Sequence, residues 1–412
     1  MITDSFDIAT ETYINEEDFY GKQGKMVDTC IIIFSDQIYQ KILTTYACKK
    51  ISEIRGCNGS TDIMSLVYKG KEIAFYLTEL GSTMCAQCMT EAAWVSGAYR
   101  FIMSGSCGSI SEKTKGKYII PIESYRDEGM SYHFKKPSDY IAIKNHEKVA
   151  LFFKENHIPY IEGRVWTTDA FTRETRGAVQ KRREDGCLAV EMEIAGVQAV
   201  ADFYGFELYT FLECGDTFAE EYNNTGLNEA NHNHSKFEIE LEFALTLKNE
   251  VCLFQPHIED LWYRKQLVED EKTMSFNEAY GGPFPFDAKK WEPFYQKWGL
   301  NENYLYRYIF DENHYYAGEI GYVKETDAIC WMHIIVEYEK RNQGIGTKAI
   351  QLLAEEAKKN GIEEIKVEMD ENDKNIAVFI KQGFMKVNST VFAKKLLLNE
   401  KHMFFPRKRM NL

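Results

Sequence analysis

Two stretches of this chain carry residue types whose spacing could do chemistry. In residues 186–216 (GCLAVEMEIAGVQAVADFYGFELYTFLECGD), Glu191, Met192 and Glu193 precede a helical pattern and an apolar strand-like run, and a lone acid, Asp216, ends it. A carboxylate beside a methionine suits a sugar, because the acid accepts two hydroxyl hydrogen bonds while the thioether covers the ring face. An acid at the carboxyl end of a strand lies where open α/β sheets hold their ligands. The pattern points to a nucleoside site, although a capped, charged helix start is the commoner meaning of an isolated E-x-E. The second stretch is Arg341-Asn342-Gln343-Gly344-Ile345-Gly346-Thr347, between an apolar run at 329–336 and an amphipathic helix expected over 348–360 and stopped by Gly361. A glycine loop there presents backbone N–H groups and the positive end of a helix dipole to a phosphate. GxG alone would be an ordinary turn; R-x-x-G-x-G after a strand is more specific.

Holding both stretches takes two domains. The 412 residues exceed the usual single domain, and 44% hydrophobic residues with 25 Tyr and 26 Phe give ample core for folded structure throughout. A formal charge of −14 argues against nucleic acid and anionic membranes as main partners, since both demand a basic face. The opening residues lack the basic start and apolar run of a signal peptide, and no stretch approaches the roughly 20 apolar residues of a membrane span. Ten cysteines scattered through apolar surroundings fit reduced, buried thiols, hence a cytoplasmic protein. Cys85 and Cys88 form a lone CxxC without a second pair or a zinc-spaced His pair, so one face of a helix is the favoured reading and no metal is expected.

The elements fall into two series. Strands are expected at 29–34 and 73–80, a helix at about 83–99, and a closing amphipathic helix at 237–247 with Phe237, Leu241 and Leu245 on one face. Between them lie a glycine and serine turn, Ser104 to Ser109, and two loops dense in polar and aromatic residues, RDEGMSYHF and WTTDAFTRET; in the second, Phe171 could stack on a base. From about Asn249 the pattern restarts, with a strand at 251–254, a helix at 259–268, a glycine and proline loop at 276–287, paired strands at 304–310 and 315–322, and a further strand at 329–336.

GSCGS, RDEGMSYHF, WTTDAFTRET and VEMEIAGV, in this order and spacing over about residues 1–250, resemble the nucleoside phosphorylase family, which includes uridine phosphorylase and the hexameric purine nucleoside phosphorylases. The resemblance implies a three-layer α/β sandwich around a mixed, partly barrel-like sheet, cleavage of an N-glycosidic bond, and a homo-oligomer whose sites borrow residues from a neighbour. Residue by residue it implies that Met192 and Glu193 hold ribose, with Glu191 beside them. Phe171 would pack on the base, and Asp216 would protonate the departing purine-type base. Ser106 would contact phosphate, and Arg55 would be the arginine lent to the adjacent subunit. The phosphate half departs from the family. Ser35-Asp36-Gln37-Ile38-Tyr39 replaces a Gly-Asp-Pro loop with its arginine, and Met103 stands for a second arginine. Three options stay open: hydrolysis by water, phosphate held in another way, or nucleoside binding without turnover.

The loop 341–347, together with NDKNIAVFIKQGF beginning at Asn372, resembles the GCN5-related N-acetyltransferase (GNAT) family over roughly residues 250–398. That implies an α+β fold with acetyl-CoA as co-substrate, its pyrophosphate on Arg341 to Thr347, Asn372 contacting it, and an amine as acceptor. Phe379 replaces the frequent general-acid tyrosine. Glu337, just past the strand at 329–336, could serve as base for the amine or be an exposed loop acid. The sequence reading is therefore a nucleoside-cleaving domain at 1–249, an acetyltransferase domain at 250–400 and a short basic tail at 401–412; a nucleoside-sensing domain regulating the acetyltransferase is the alternative.

Overall fold

Every residue of β1 (Thr29–Ile33) is buried, and its two faces enter different cores. Cys30 and Ile32 join a cluster with the helices Ser82–Ser96 and Ile194–Tyr204; Ile31 and Ile33 join another with Asp36–Thr45, His146–Glu155 and Ser235–Thr246. A strand covered on both faces loses its polar alternation, which is why TCIII reads as a continuous apolar run. The result is helix–sheet–helix layering. The computed structural model describes residues 1–57, 59–219, 221–275, 282–370 and 375–396. By contacts they form two compact units, one of Met1–Asp7 with Thr12–Lys248, the other of Ile8–Glu11 with the residues from Asn249 onward.

The first unit continues with β2 (Cys48–Gly56), β3 (Gly59–Tyr68), β4 (Lys71–Leu77), β5 (Arg100–Ser109), β6 (Tyr118–Asp127), β7 (Tyr140–Ala142), β8 (Tyr160–Thr168), β9 (Cys187–Glu191) and β10 (Glu207–Thr217). Their order is β10-β6-β8-β9-β5-β1-β4-β3-β2, with β7 on β6. Because β10 also pairs with β5, the strands β5, β10, β6, β8 and β9 close into a ring. Parallel pairing of β5 with β10 sets Ser106 opposite Glu213 and Gly108 opposite Asp216. The helix expected near 83–99 spans Ser82–Ser96 and stops at Gly97, whose φ of 73° is left-handed; Cys85 and Cys88 both turn into the core. RDEGMSYHF is less loop-like than its composition implies. Arg126 and Asp127 end β6, and Ser131–Phe134 make one helical turn. Its polar groups serve the fold, since buried Arg126 donates to Ser131 Oγ at 2.8 Å and to the Lys136 carbonyl at 2.7 Å.

The second unit is a seven-stranded sheet of β11 (Cys252–Phe254), β12 (Tyr304–Phe310), β13 (Tyr316–Lys324), β14 (Ile329–Val336), β15 (Glu364–Glu368), β16 (Met385–Lys386) and β17 (Val391–Lys395), ordered β11-β12-β13-β14-β15-β17-β16. Only β14 and β15 run parallel, and their described pairing stops after Ile329–Trp331 against Glu364–Lys366. The remaining residues of β14, Met332 to Val336, have no pairing with β15 among the described residues. The helix Ile345–Lys359 buries Ala349, Ile350, Leu353 and Ala357 on this sheet. It starts three residues before the expected 348, because Gly344 takes φ of 82° and breaks the chain there. The helix Trp291–Trp298 and the last three strands had no expectation from the sequence. Residues 276–281 of the expected loop lie outside the described residues.

Candidate functional site

A cavity of 610 Å³ opens at the carboxyl ends of β1, β5, β9 and β10. Phe171, Glu191, Met192, Glu193, Asp216 and Ser106 all line it, so six residues spread over 111 positions of sequence meet in one place. Arg55 is not among them. It lies on β2, exposed, with its Nε 3.2 Å from Glu53.

Two adjacent helix starts build the end of the cavity at which a sugar is expected. Glu191 ends β9 and is buried; its carboxylate accepts from Thr167 Oγ1 and from the N–H groups of Glu193 (2.7 Å) and Ile194 (2.8 Å). It thus ties the turn that presents Met192 and Glu193. Glu193 Oε1 accepts the Gly81 N–H at 2.7 Å, and Ser82 Oγ reaches back to the carbonyls of Met192 (3.0 Å) and Glu193 (3.2 Å). Burial pushes both carboxyls above the usual range, Glu191 to about 8, with the neighbouring Glu193 charge adding to it. The two helices meet at Gly196, where an added Cβ would stand 2.7 Å from Ser82 Cβ. Gly196→Val should therefore push the helix starts apart, destabilise the unit by about 1–3 kcal/mol in denaturant titration, and loosen nucleoside binding by displacing Glu193. Unchanged stability would show that the contact relaxes freely.

The end at which a base is expected depends on a β-bulge. Register shifts between Cys214 and Asp216 in β10, which turns Asp216 toward the cavity. Gly108 opposite makes room; a Cβ there would meet Phe218 Cε2 at 2.7 Å and Asp216 Oδ1 at 3.2 Å. Phe171, on the short turn Phe171–Arg173, is 63% exposed, leaving its ring face open to a flat base. Glu174 lines the same cavity, and its role escaped the sequence reading although it lies within WTTDAFTRET. Burial raises its carboxyl to about 7, the Asp216 charge adding to the shift; burial also raises Asp216. Two carboxyls whose ionisation burial disfavours can retain a proton between them.

At the opposite end, the positions that lack arginines belong to the core. Tyr39 packs edge-on against Phe75, ring centroids 5.7 Å apart, and buried Met103 lies 3.8 Å from Cys85 Sγ. Polar side chains of other elements line this end. Ser106 Oγ is bonded to Asn231 Oδ1 (2.5 Å) and Ser35 Oγ to His232 Nδ1 (2.7 Å). Lys236 and Glu240, from the closing helix Ser235–Thr246, are both buried. The sequence reading placed Phe237, Leu241 and Leu245 on that helix's apolar face. Phe237 and Leu241 are buried, but Leu245 is only partly so, and Ala244, Lys236 and Glu240 complete the inward side.

In the second unit, Arg341 Nε donates to the Val336 carbonyl (3.0 Å) and its guanidinium to the Thr273 carbonyl (2.5 Å), which fixes the loop against the end of β14. Asn342 (φ 61°) and Gly344 (φ 82°) give the loop its reversal, and Gln343 Nε2 closes it on the Glu339 carbonyl at 2.9 Å. Ile345, Gly346 and Thr347 then form a first helical turn, whose N–H groups have no partners within a helix. Glu337 follows β14 directly, half-buried, accepting from Tyr263 Oη at 3.4 Å in a cleft of 190 Å³. Phe379 is buried edge-on to Phe384. Asn372 and the tail 401–412 lie outside the described residues. Among the described residues, no group of three or more His, Cys, Asp or Glu could hold a metal, and no helix is long and apolar enough to cross a membrane.

Comparison with known proteins places this geometry. Residues 28–237 match the phosphorylase superfamily, and residues 269–384 match the acetyltransferase (GNAT) family. The chain is 27% identical to a DeoD-type purine nucleoside phosphorylase of Alkaliphilus metalliredigens (strain QYMF) over 236 residues, 54% of this chain and 97% of that one. Among solved structures, futalosine hydrolase of Helicobacter pylori strain 26695 aligns with a TM-score of 0.45 at 17% identity, covering 54% of this chain and 99% of that one. The 5′-methylthioadenosine/S-adenosyl homocysteine nucleosidase of Campylobacter jejuni gives a TM-score of 0.45 at 18% identity, covering 54% and 100%. The first unit has the mixed α/β fold of nucleoside phosphorylases, and the chain belongs to the phosphorylase superfamily. Its second unit is of the GNAT type.

Proposed function

We propose that the first unit hydrolyses the N-glycosidic bond of a purine-type nucleoside and that the second transfers acetyl from acetyl-CoA to an amine, with the domain boundary at 249/250. The observation that carries the first half is the single cavity shared by Met192, Glu193, Phe171 and Asp216. Glu193 and Met192 would hold the ribose, Glu191 fixing their turn, and Phe171 would cover the base. The Asp216–Glu174 pair would hand a proton to the base as the C1′–N bond breaks, quenching the charge that develops on it.

Water is favoured over phosphate on charge. Lys236 is the one Lys or Arg among the described residues that line the cavity, and its Nζ already donates to the Ala230 carbonyl at 2.5 Å. A phosphate dianion at the Ser106 end would share the cavity with the carboxyls of Glu240, Glu191 and Glu193, without the bidentate arginines such an anion needs. The family resemblance also implies a homo-oligomer in which exposed Arg55 reaches a neighbour's cavity.

For the second unit, the early end of the β14–β15 pairing and the Arg341 to Thr347 turn support acetyl-CoA as co-substrate. Glu337 would take the proton of the attacking amine, and with Phe379 in place of a phenol, water would protonate the departing thiolate. The test of the first half is a panel of purine and pyrimidine nucleosides, each incubated with and without phosphate, with free base measured. Equal release in both conditions is the expected result. Strict dependence on phosphate would replace hydrolysis with phosphorolysis, and binding without release in any condition would leave a nucleoside sensor.

A further inference from the structure

Glu240 has no place in the sugar or base contacts, yet it is among the most enclosed carboxyls of the molecule, 1% exposed on the helix Ser235–Thr246. Ser104, midway along β5, hydrogen-bonds it through its side chain and its backbone. Its Oε1 has no hydrogen-bond partner among the described residues, and the residue lines the cavity that Met192, Glu193 and Asp216 share. An enclosed polar atom without a partner is destabilising by roughly 1–3 kcal/mol, and an apolar side chain at this helical position would avoid that. The residue borders the cavity, so a small polar ligand there can reach the carboxylate.

We propose that Glu240 is the general base of the hydrolytic step, holding the attacking water through its carboxylate. This rests on the hydrolytic reading of the cavity. One O–H of the water donates to the Glu240 carboxylate. The water oxygen bonds C1′ while the electron pair of the C1′–N bond leaves on the base, which takes its proton from the Asp216–Glu174 pair. The proton of the water passes to Glu240, and the products are free base and free sugar. The Ser106 and Ser35 hydroxyls line the same end and can orient the second O–H.

The surroundings fit a group that must be charged to act and neutral to be tolerated. Burial pushes the Glu240 carboxyl up to about 8, against the pull of Ser104 and of Lys236, four residues back on the same helix. Lys236 is itself 3% exposed and 3.8 Å from Glu213 of β10. From the other elements His232, Glu191 and Glu193 share the cavity, while β5 presents the hydroxyls of Ser104 and Ser106 and the buried thiol of Cys107. A base titrating near the working pH combines a useful ionised fraction with real proton affinity.

The experiment compares the full chain with Glu240→Gln and Glu240→Asp, using the nucleoside that the unmodified chain cleaves best without phosphate. Glu240→Gln keeps shape and the Ser104 contact, so nucleoside affinity by calorimetry should stay within about threefold while kcat falls at least about a hundredfold. In the unmodified chain, log kcat/KM should rise with pH on the acid side, as Glu240 ionises, and fall on the alkaline side, as the Asp216–Glu174 pair loses its proton. Glu240→Asp should keep a rising limb at reduced rate, which a merely structural residue would not. Undiminished release by Glu240→Gln, or a flat profile below pH 8 in the unmodified chain, overturns this assignment alone. If Glu240→Gln does not fold, the unmodified profile and Glu240→Asp decide. Failure of the unmodified chain to release base without phosphate overturns the hydrolytic reading, and this one with it.

Discussion

Asp216→Asn should lower base release by about a hundredfold or more while nucleoside affinity stays within about threefold. The amide has almost the shape of the carboxyl, so the bulge after Cys214 and the close approach of Gly108 are undisturbed, and Met192, Glu193 and Phe171 still hold the ligand. What disappears is an acid that can be recharged with a proton beside a departing base. Glu174 remains, but without the Asp216 charge its carboxyl relaxes toward the ordinary range and is ionised more fully at neutral pH. Burial, the larger cause of its shift, remains, so Glu174 keeps part of its proton affinity. Single-turnover base release and calorimetry on the same preparation separate the two effects. An equal loss of affinity would make Asp216 a binding residue. An unchanged rate would hand its role to Glu174.

Gly344→Val should weaken acetyl-CoA binding at least about tenfold, the cost of forcing a β-branched residue into a left-handed turn and moving the helix start behind it. At φ of 82° the glycine is what lets the chain leave Arg341 and enter the helix within a few residues. Calorimetry with acetyl-CoA reads the effect, and nucleoside affinity of the same variant serves as the internal control. Tight binding of acetyl-CoA by Gly344→Val, or its absence from the unmodified chain, would remove the loop from the co-substrate site.

The sequence was most readable where one segment carries its own signal. The run TCIII, the 329–336 strand and the G-x-G turn are local patterns, and each appears close to its expected bounds. Glu193 and Met192 were legible because they are neighbours in the chain. Glu174 was hidden because nothing in WTTDAFTRET distinguishes an acid that faces a cavity from one that faces water; only its approach to Asp216, 42 positions later, does so. Lys236 and Glu240 were hidden for the opposite reason. An oppositely charged pair four residues apart is the ordinary pattern of a solvated helix face, and here that face points inward. RDEGMSYHF reads as a loop because buried polar groups with internal partners have the same composition as exposed ones.

Closure of the ring through β5 and β10 also sets the order in which the first unit can assemble. Arg100 and Glu207, at the aligned starts of the two strands, are 107 positions apart, so their pairing joins segments that the intervening chain separates widely. Contacts of such long range carry a large loop-closure entropy before any burial offsets it, and they slow folding. A nascent chain cannot make the bulge that aims Asp216 until β10 has been synthesised, and it cannot enclose Glu240 until the closing helix follows. Until then β5 and β6 lack the strand that lies between them, leaving edges open to pairing with other chains. Competence to bind a nucleoside therefore comes late in the folding of this unit.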